Sequence, residues 1–253
     1  MLQLSVSIIA SNEEGNILRC IQSVKDISNE IILVHNDCTD KTVQIAREHN
    51  AVCFEEKWHG HREQKNIALS KATQPWVLCM DADEELSPDL RREIINFLKE
   101  NPSNEINGAN FNRLSFFMER WIRHGDWYPD TKVRLIRNGT GMWKGSREHD
   151  KLHIEGEIVH IKGDLLHYSY PSLNTFVKKT IYFSDIYLSR QLDACKRWNL
   201  MNVIIRPPWR FIRAYFLRLG FLDGFPGLFI AVATAYMTFV KHSRLYEHES
   251  KSK

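Results

Sequence analysis

Apolar runs of strand length alternate with segments of helical period over the first 83 residues, and few folds accept that pattern. Leu4-Ser5-Val6-Ser7-Ile8-Ile9 reads as a strand, and residues 16–24 read as a helix with Ile17, Ile21 and Val24 on one face. Glu30-Ile31-Ile32-Leu33-Val34 is a second strand, after which Thr39 or Asp40 caps a helix carrying Val43, Ile45 and Ala46. Ala51-Val52-Cys53-Phe54 is a third strand, a helix follows from about Arg62 to Lys71, and Trp76-Val77-Leu78-Cys79-Met80 is a fourth strand. The alternation predicts an α/β fold with a mostly parallel central sheet covered on both faces. Ligands of such sheets bind beyond the carboxyl ends of the strands. Three polar clusters stand at such ends: Asn12-Glu13-Glu14, His35-Asn36-Asp37 and Asp81-Ala82-Asp83.

From about Gly108 the pattern changes to strand-like pieces (residues 109–117, 132–137 and 164–168) between loops rich in Gly, Trp, His and charge. After Pro171 it becomes helical: one segment to about Trp198, one after Pro207-Pro208 and one after Pro226-Gly227. The expected division is an α/β domain over 1–170 and a helical region over 171–253. With 34 basic and 31 acidic residues, net +3, the chain as a whole has no charge excess that calls for nucleic acid. Five scattered cysteines without a Cys-x-x-Cys pair read as reduced thiols, and the N-terminus lacks a basic signal-peptide region; both fit a cytoplasmic protein.

Two carboxylates one residue apart at a strand end suit a hard divalent cation, Mg²⁺ or Mn²⁺, held jointly with substrate phosphates. The plainer alternative is that Asp81 and Asp83, with Glu84 and Glu85, cap the helix that starts at Ser87-Pro88. No Gly-x-Gly-x-x-Gly and no P-loop is present, so phosphates must be handled another way. His149/His153 and His59/His61 have spacings that raise zinc. They lie in loop and strand patterns without nearby cysteines, which disfavours a zinc site.

The order strand, Asn-Glu-Glu, helix, strand, Asp-Cys-Thr-Asp-Lys-Thr, then Gln64-Lys65-Asn66-Ile67-Ala68-Leu69 and Asp81-Ala82-Asp83-Glu84 is more specific than any one piece. Over residues 4–170 this order resembles the family 2 inverting glycosyltransferases of the GT-A fold, and in particular the bacterial branch that adds sugars to lipopolysaccharide core, heptose-linked glucosyltransferases among them. The resemblance implies that Asp81 and Asp83 bind the nucleotide-sugar ribose and the diphosphate-bound metal. It implies that Glu13 helps hold the nucleotide, that Lys65 and Asn66 face the donor, and that Arg134 and Trp127-Tyr128-Pro129-Asp130 lie near sugar and acceptor. Glu148-His149-Asp150-Lys151-Leu152 matches the stretch that supplies the general base, with Asp150 at the base position and Glu148 in reserve. Such a carboxylate takes the proton of an acceptor hydroxyl as it attacks the anomeric carbon. Family members usually carry an Asp that contacts the nucleobase where this chain has His35; the neutral imidazole still donates and accepts, and Asp37 stands nearby as a second candidate. UDP-sugar is the expected donor.

Arg206, Arg210, Arg213 and Arg218 are interleaved with aromatic and aliphatic residues, and the seventeen uncharged residues 224–240 follow. That run is shorter than the roughly 20 residues a spanning helix needs, and the basic-aromatic mixture favours a membrane surface. The expectation is peripheral contact at the cytoplasmic face of the inner membrane, near a glycan or lipid-linked acceptor; the alternative is a helix pair packed on the catalytic domain or across a dimer. Three other functions stay open: sugar transfer to a polyprenyl phosphate, non-catalytic nucleotide-sugar binding, and a glycosidase with paired carboxylates.

Overall fold

The computed structural model describes residues 2–145, 150–170 and 172–251. The chain divides into two compact units, one made of residues 1–113 and 130–167, the other of 114–129 and 168–253.

The first unit is mixed α/β. Its first half runs β1 (Leu4–Ala10), α1 (Ile17–Val24), β2 (Glu30–His35), α2 (Thr42–Glu48), β3 (Val52–Glu55), α3 (His61–Ser70) and β4 (Trp76–Asp81). Strand order β3-β2-β1-β4 is parallel throughout. Leu4, Val6 and Ile8 on one side of β1 are fully buried, each contributing about 1.5–3 kcal/mol of apolar burial. Against them lie Ile17, Cys20, Ile21 and Val24 of α1, at spacings that line one helical face. α3 covers the other face through Ala68, beside Ile32 and Val34.

The chain continues through β5 (Glu84–Leu86), α4 (Pro88–Lys99), β6 (Ile106–Phe117), β7 (Arg120–Trp121), β8 (Asp130–Arg137), β9 (Gly141–Lys144), β10 (Lys151–Ile154) and β11 (Glu157–His167), of which β7 and the last four residues of β6 belong to the second unit. β8 joins β4 antiparallel, β6 pairs with β8, and β11 pairs antiparallel with β5 in the register His167↔Glu84. β9 and β10 form a separate hairpin. Ser87 caps α4, its hydroxyl accepting from Leu90 N–H at 3.2 Å with Pro88 in the first turn. The helix therefore has a cap of its own and does not use the carboxylates at 81 and 83.

The second unit holds α5 (Leu173–Asp193), α6 (Leu200–Ile212), a π turn Arg213–Leu217, a 3₁₀ turn Gly220–Asp223 and α7 (Gly224–Lys251). Phe117, Ile122, Phe176 and Ile230 form its core, with Trp127, Tyr170 and Phe229 around them. The expected helix start after Pro207-Pro208 is corrected: both prolines lie inside α6. They lack N–H groups to close the turn, yet Pro207 is buried, and tertiary burial outweighs the local penalty. The stretch 220–251 is long and apolar enough to cross a membrane by length and composition, longer than the uncharged run because the helix continues through Lys241 and Arg244.

Candidate active site

The carboxyl ends of β1, β2 and β4 carry the three polar clusters. Asp81, the last residue of β4, has each oxygen engaged by a different cation. Arg134 Nη2 donates to Oδ2 at 2.7 Å, and Lys65 Nζ lies 3.1 Å from Oδ1. Burial alone would raise the Asp81 carboxyl; the charges of Arg134 and then Lys65 hold it well below the usual carboxylate range. Arg134 is itself buried, which opposes its charge, and Asp81 and Glu84 more than offset that by raising its pKa. Arg134 Nη2 also donates to Glu84 Oε1 at 2.6 Å, while Glu84 Oε2 accepts from Asp81 N–H at 2.9 Å. Glu84 is fully buried, so a bidentate role between arginine and backbone satisfies a carboxylate that could not otherwise be left there.

Lys65 comes from α3 and also lies 3.1 Å from Asp150 Oδ2. Its ammonium sits 4.5 Å from the centroid of Trp143 on β9. The neighbouring Asn66 bonds the Trp143 backbone in both directions, Nδ2 to O at 3.0 Å and N–H to Oδ1 at 2.8 Å. Asn66 thus fixes the hairpin to α3, while Lys65 gathers Asp81 and Asp150, 69 positions apart in the chain, around one charge. Glu148 lies outside the described residues, as does His149.

Asp83 follows in the turn after β4, with His167 Nε2 3.4 Å from its Oδ2. His167 is nearly buried, and its Nδ1 has no hydrogen-bond partner among the described residues. Sequence reading missed His167, because only the β11–β5 register sets it beside the turn. No group of three or more His, Cys, Asp or Glu side chains among the described residues could hold a metal alone. A divalent ion held partly by substrate phosphates needs fewer protein ligands, and Asp83 with His167 fit that open donor set. Asp81, at the end of β4 just before Asp83, has both its oxygens engaged by cations.

Glu13 accepts from Asn16 Nδ2 at 2.8 Å, and its backbone N–H donates to Thr42 Oγ1 at 2.7 Å. Asn12 Oδ1 accepts from Thr39 N–H, so the first two polar loops are tied together. Asp40 accepts from Thr42 N–H and hydroxyl, which explains the start of α2. His35 ends β2 between Ala10 and Glu55, and burial pushes its imidazole down, toward the neutral form. Its Nδ1 is buried without a partner among the described residues. Asp37 is exposed with φ +44. In the stretch 127–130, Asp130 pairs with Arg113 at 2.7 Å and Lys132 at 2.8 Å, whereas Trp127 stacks on Tyr170 in the helical unit.

Residues 5–149 match the model of glycosyl transferase family 2. An uncharacterised glycosyltransferase of Rickettsia typhi is 30% identical over 264 residues, covering 100% of this chain and 90% of its own length. The lipopolysaccharide core biosynthesis glycosyltransferase LpsC of Rhizobium meliloti is 28% identical over 256 residues, covering 98% of this chain and 94% of its own. A motif order legible in the sequence, an α/β sheet of GT-A type that brings those motifs to one edge, and a family match over more than half of the chain agree: the protein belongs to glycosyl transferase family 2.

Proposed function

We propose that the enzyme transfers a sugar, with inversion, from a nucleotide-diphosphate donor to a hydroxyl of a lipopolysaccharide core glycan. What supports this reading is a single juxtaposition: one ammonium, Lys65 Nζ, lies 3.1 Å from both the strand-end Asp81 and Asp150. A donor-side carboxylate and a proton acceptor belong together in a one-step displacement. Asp150 takes the proton of the acceptor hydroxyl, the oxygen bonds to the anomeric carbon, and the bond from that carbon to the diphosphate breaks with its electron pair leaving on the diphosphate. Asp83 and His167 would hold a divalent cation, Mg²⁺ or Mn²⁺, which would supply charge against the leaving diphosphate. Lys65 and Arg134 hold Asp81 toward the nucleotide, Glu13 steadies the loop beside it, and His35, with Asp37 at the loop tip, reads the nucleobase as a neutral donor and acceptor.

The core-glycan acceptor is carried over from LpsC, which is similar along nearly the whole chain. For the helical unit we propose peripheral contact with the inner membrane. Ile204, Ile205, Trp209, Phe216 and Leu217 are exposed beside arginines on consecutive turns, a basic-aromatic surface suited to anionic lipid. The test is incubation with UDP-sugars, Mn²⁺ and deacylated core oligosaccharides, with the anomeric configuration of the product read by NMR. A product of retained configuration, or hydrolysis without nucleotide, overturns the reading; turnover of Asp150→Asn at the full rate moves it to an anionic acceptor such as polyprenyl phosphate.

A further inference from the structure

Two cavities of the helical unit share a wall. The smaller, about 210 Å³, is bordered by Lys179, Arg210 and Lys241 over an aromatic floor that includes Trp127 and Tyr170. The larger, about 590 Å³, runs between α5 and α7 along Val177, Ile181, Phe229, Val232 and Val240. Phe176, Thr180 and Met237 line both. The smaller cavity is cationic and the larger mainly apolar, with Ser184 and the Asp185–Arg244 pair also in its lining, so together they have the polarity of a head group and a tail.

The positive charge in the smaller cavity is not offset from within. Lys179 Nζ donates to the Ser169 carbonyl at 2.9 Å and lies 5.1 Å from the Tyr170 ring centroid. Lys241 Nζ lies 5.5 Å from the Tyr187 ring centroid. Neither lysine pairs with a carboxylate among the described residues, and burial, then the charge of Arg210, pushes Lys241 down. Arg210 does have a partner, Asp126 at 3.3 Å, but Arg213 at 2.9 Å and Arg218 at 3.6 Å share that one carboxylate. Asp185, at the rim of the larger cavity, is taken by Arg244. Three arginines thus share one acid, and the two lysines of the smaller cavity have none among the described residues.

We propose that these cavities bind a phosphorylated amphiphile, with its phosphate among Lys179, Arg210 and Lys241 and its hydrocarbon chain in the groove between α5 and α7. A phosphate offers several acceptor oxygens to donors arriving from different directions, which matches three cations on α5, α6 and α7. The larger volume is in the usual range of ligand pockets, roughly 300–1,000 Å³, and its lining suits hydrocarbon. Neither a neutral glycan nor a small inorganic anion satisfies both halves. The proposal stands on the helical unit alone and is independent of the catalytic reading.

Isothermal titration of the full chain with dodecyl phosphate, dodecyl maltoside and inorganic phosphate tests it. Dodecyl phosphate is expected to bind at least about tenfold more tightly than either other probe, because only it uses both halves. Lys179→Gln/Lys241→Gln weakens it by about tenfold or more. Ala233→Trp, which fills the groove, weakens dodecyl phosphate and leaves inorganic phosphate unchanged. Circular dichroism and melting temperature identify folded variants, and the single Lys179→Gln substitution decides if the double one does not fold. Equal binding of inorganic phosphate, equal binding of dodecyl maltoside, or unchanged dodecyl phosphate binding by the lysine variants overturns the proposal. So does a groove filled by a second copy of the chain, seen as a concentration-dependent dimer that takes up no dodecyl phosphate.

Discussion

Lys65 Nζ lies 3.1 Å from Asp150 Oδ2 while holding Asp81 Oδ1 at the same distance, so the two carboxylates share one counter-charge. All three side chains are mostly shielded from solvent. Replacing Lys65 by Met leaves two carboxylates facing each other without it. We expect kcat to fall by about 10²-fold or more, and Asp150→Asn to lower kcat by about 10²–10⁴-fold with little change in donor KM. Steady-state kinetics with donor and acceptor varied separately check both. A Lys65→Met enzyme with unchanged kcat removes the coupling.

Asp83 and His167 are expected to act on metal-dependent binding only. Asp83→Asn should weaken nucleotide diphosphate binding in Mn²⁺ by about 10–100-fold, and His167→Ala by a smaller factor, with no change in chelator. Titration with and without Mn²⁺ reads the difference. Equal losses in both conditions would assign the pair to structure instead.

Arg134 is the cation of a buried cluster, so Arg134→Met leaves Glu84 and Asp81 short of compensation. The expected loss of stability is about 3–5 kcal/mol, seen as a lower urea midpoint. The acid dependence has a definite sign. Asp81 in the folded protein titrates below its unfolded value of about 4. The unfolded chain therefore takes the proton first, and the stabilisation is complete above about pH 4 and lost as pH falls toward the folded value. In Arg134→Met this acid loss should shrink. Unfolding curves at pH 5 and pH 3 for both proteins make the comparison.

Gly163 has φ +108, and a Cβ there would stand 2.6 Å from the backbone nitrogen of Leu90 at the start of α4. Both strain and overlap oppose any side chain. Gly163→Ala should cost about 1–3 kcal/mol or more and lower the melting temperature. An unchanged melting temperature would mean that β11 and α4 can separate freely.

The sequence alone determined the parallel half of the sheet and the ends at which its polar residues emerge. That follows from period: apolar runs such as Trp76–Met80 and the Ile17, Ile21 and Val24 face of α1 are short-range patterns, and burial acts on them directly. Tertiary structure alone decided which charges meet. Lys65 reaches Asp150, and His167 reaches Asp83, through antiparallel pairings and a hairpin that carry no spacing signal in the chain. It also placed residues 114–129 with the helical unit and kept Pro207-Pro208 inside α6. Local propensity argues against proline there, and the burial of Pro207 outweighs it because packing energy is collected over distances that no local pattern records.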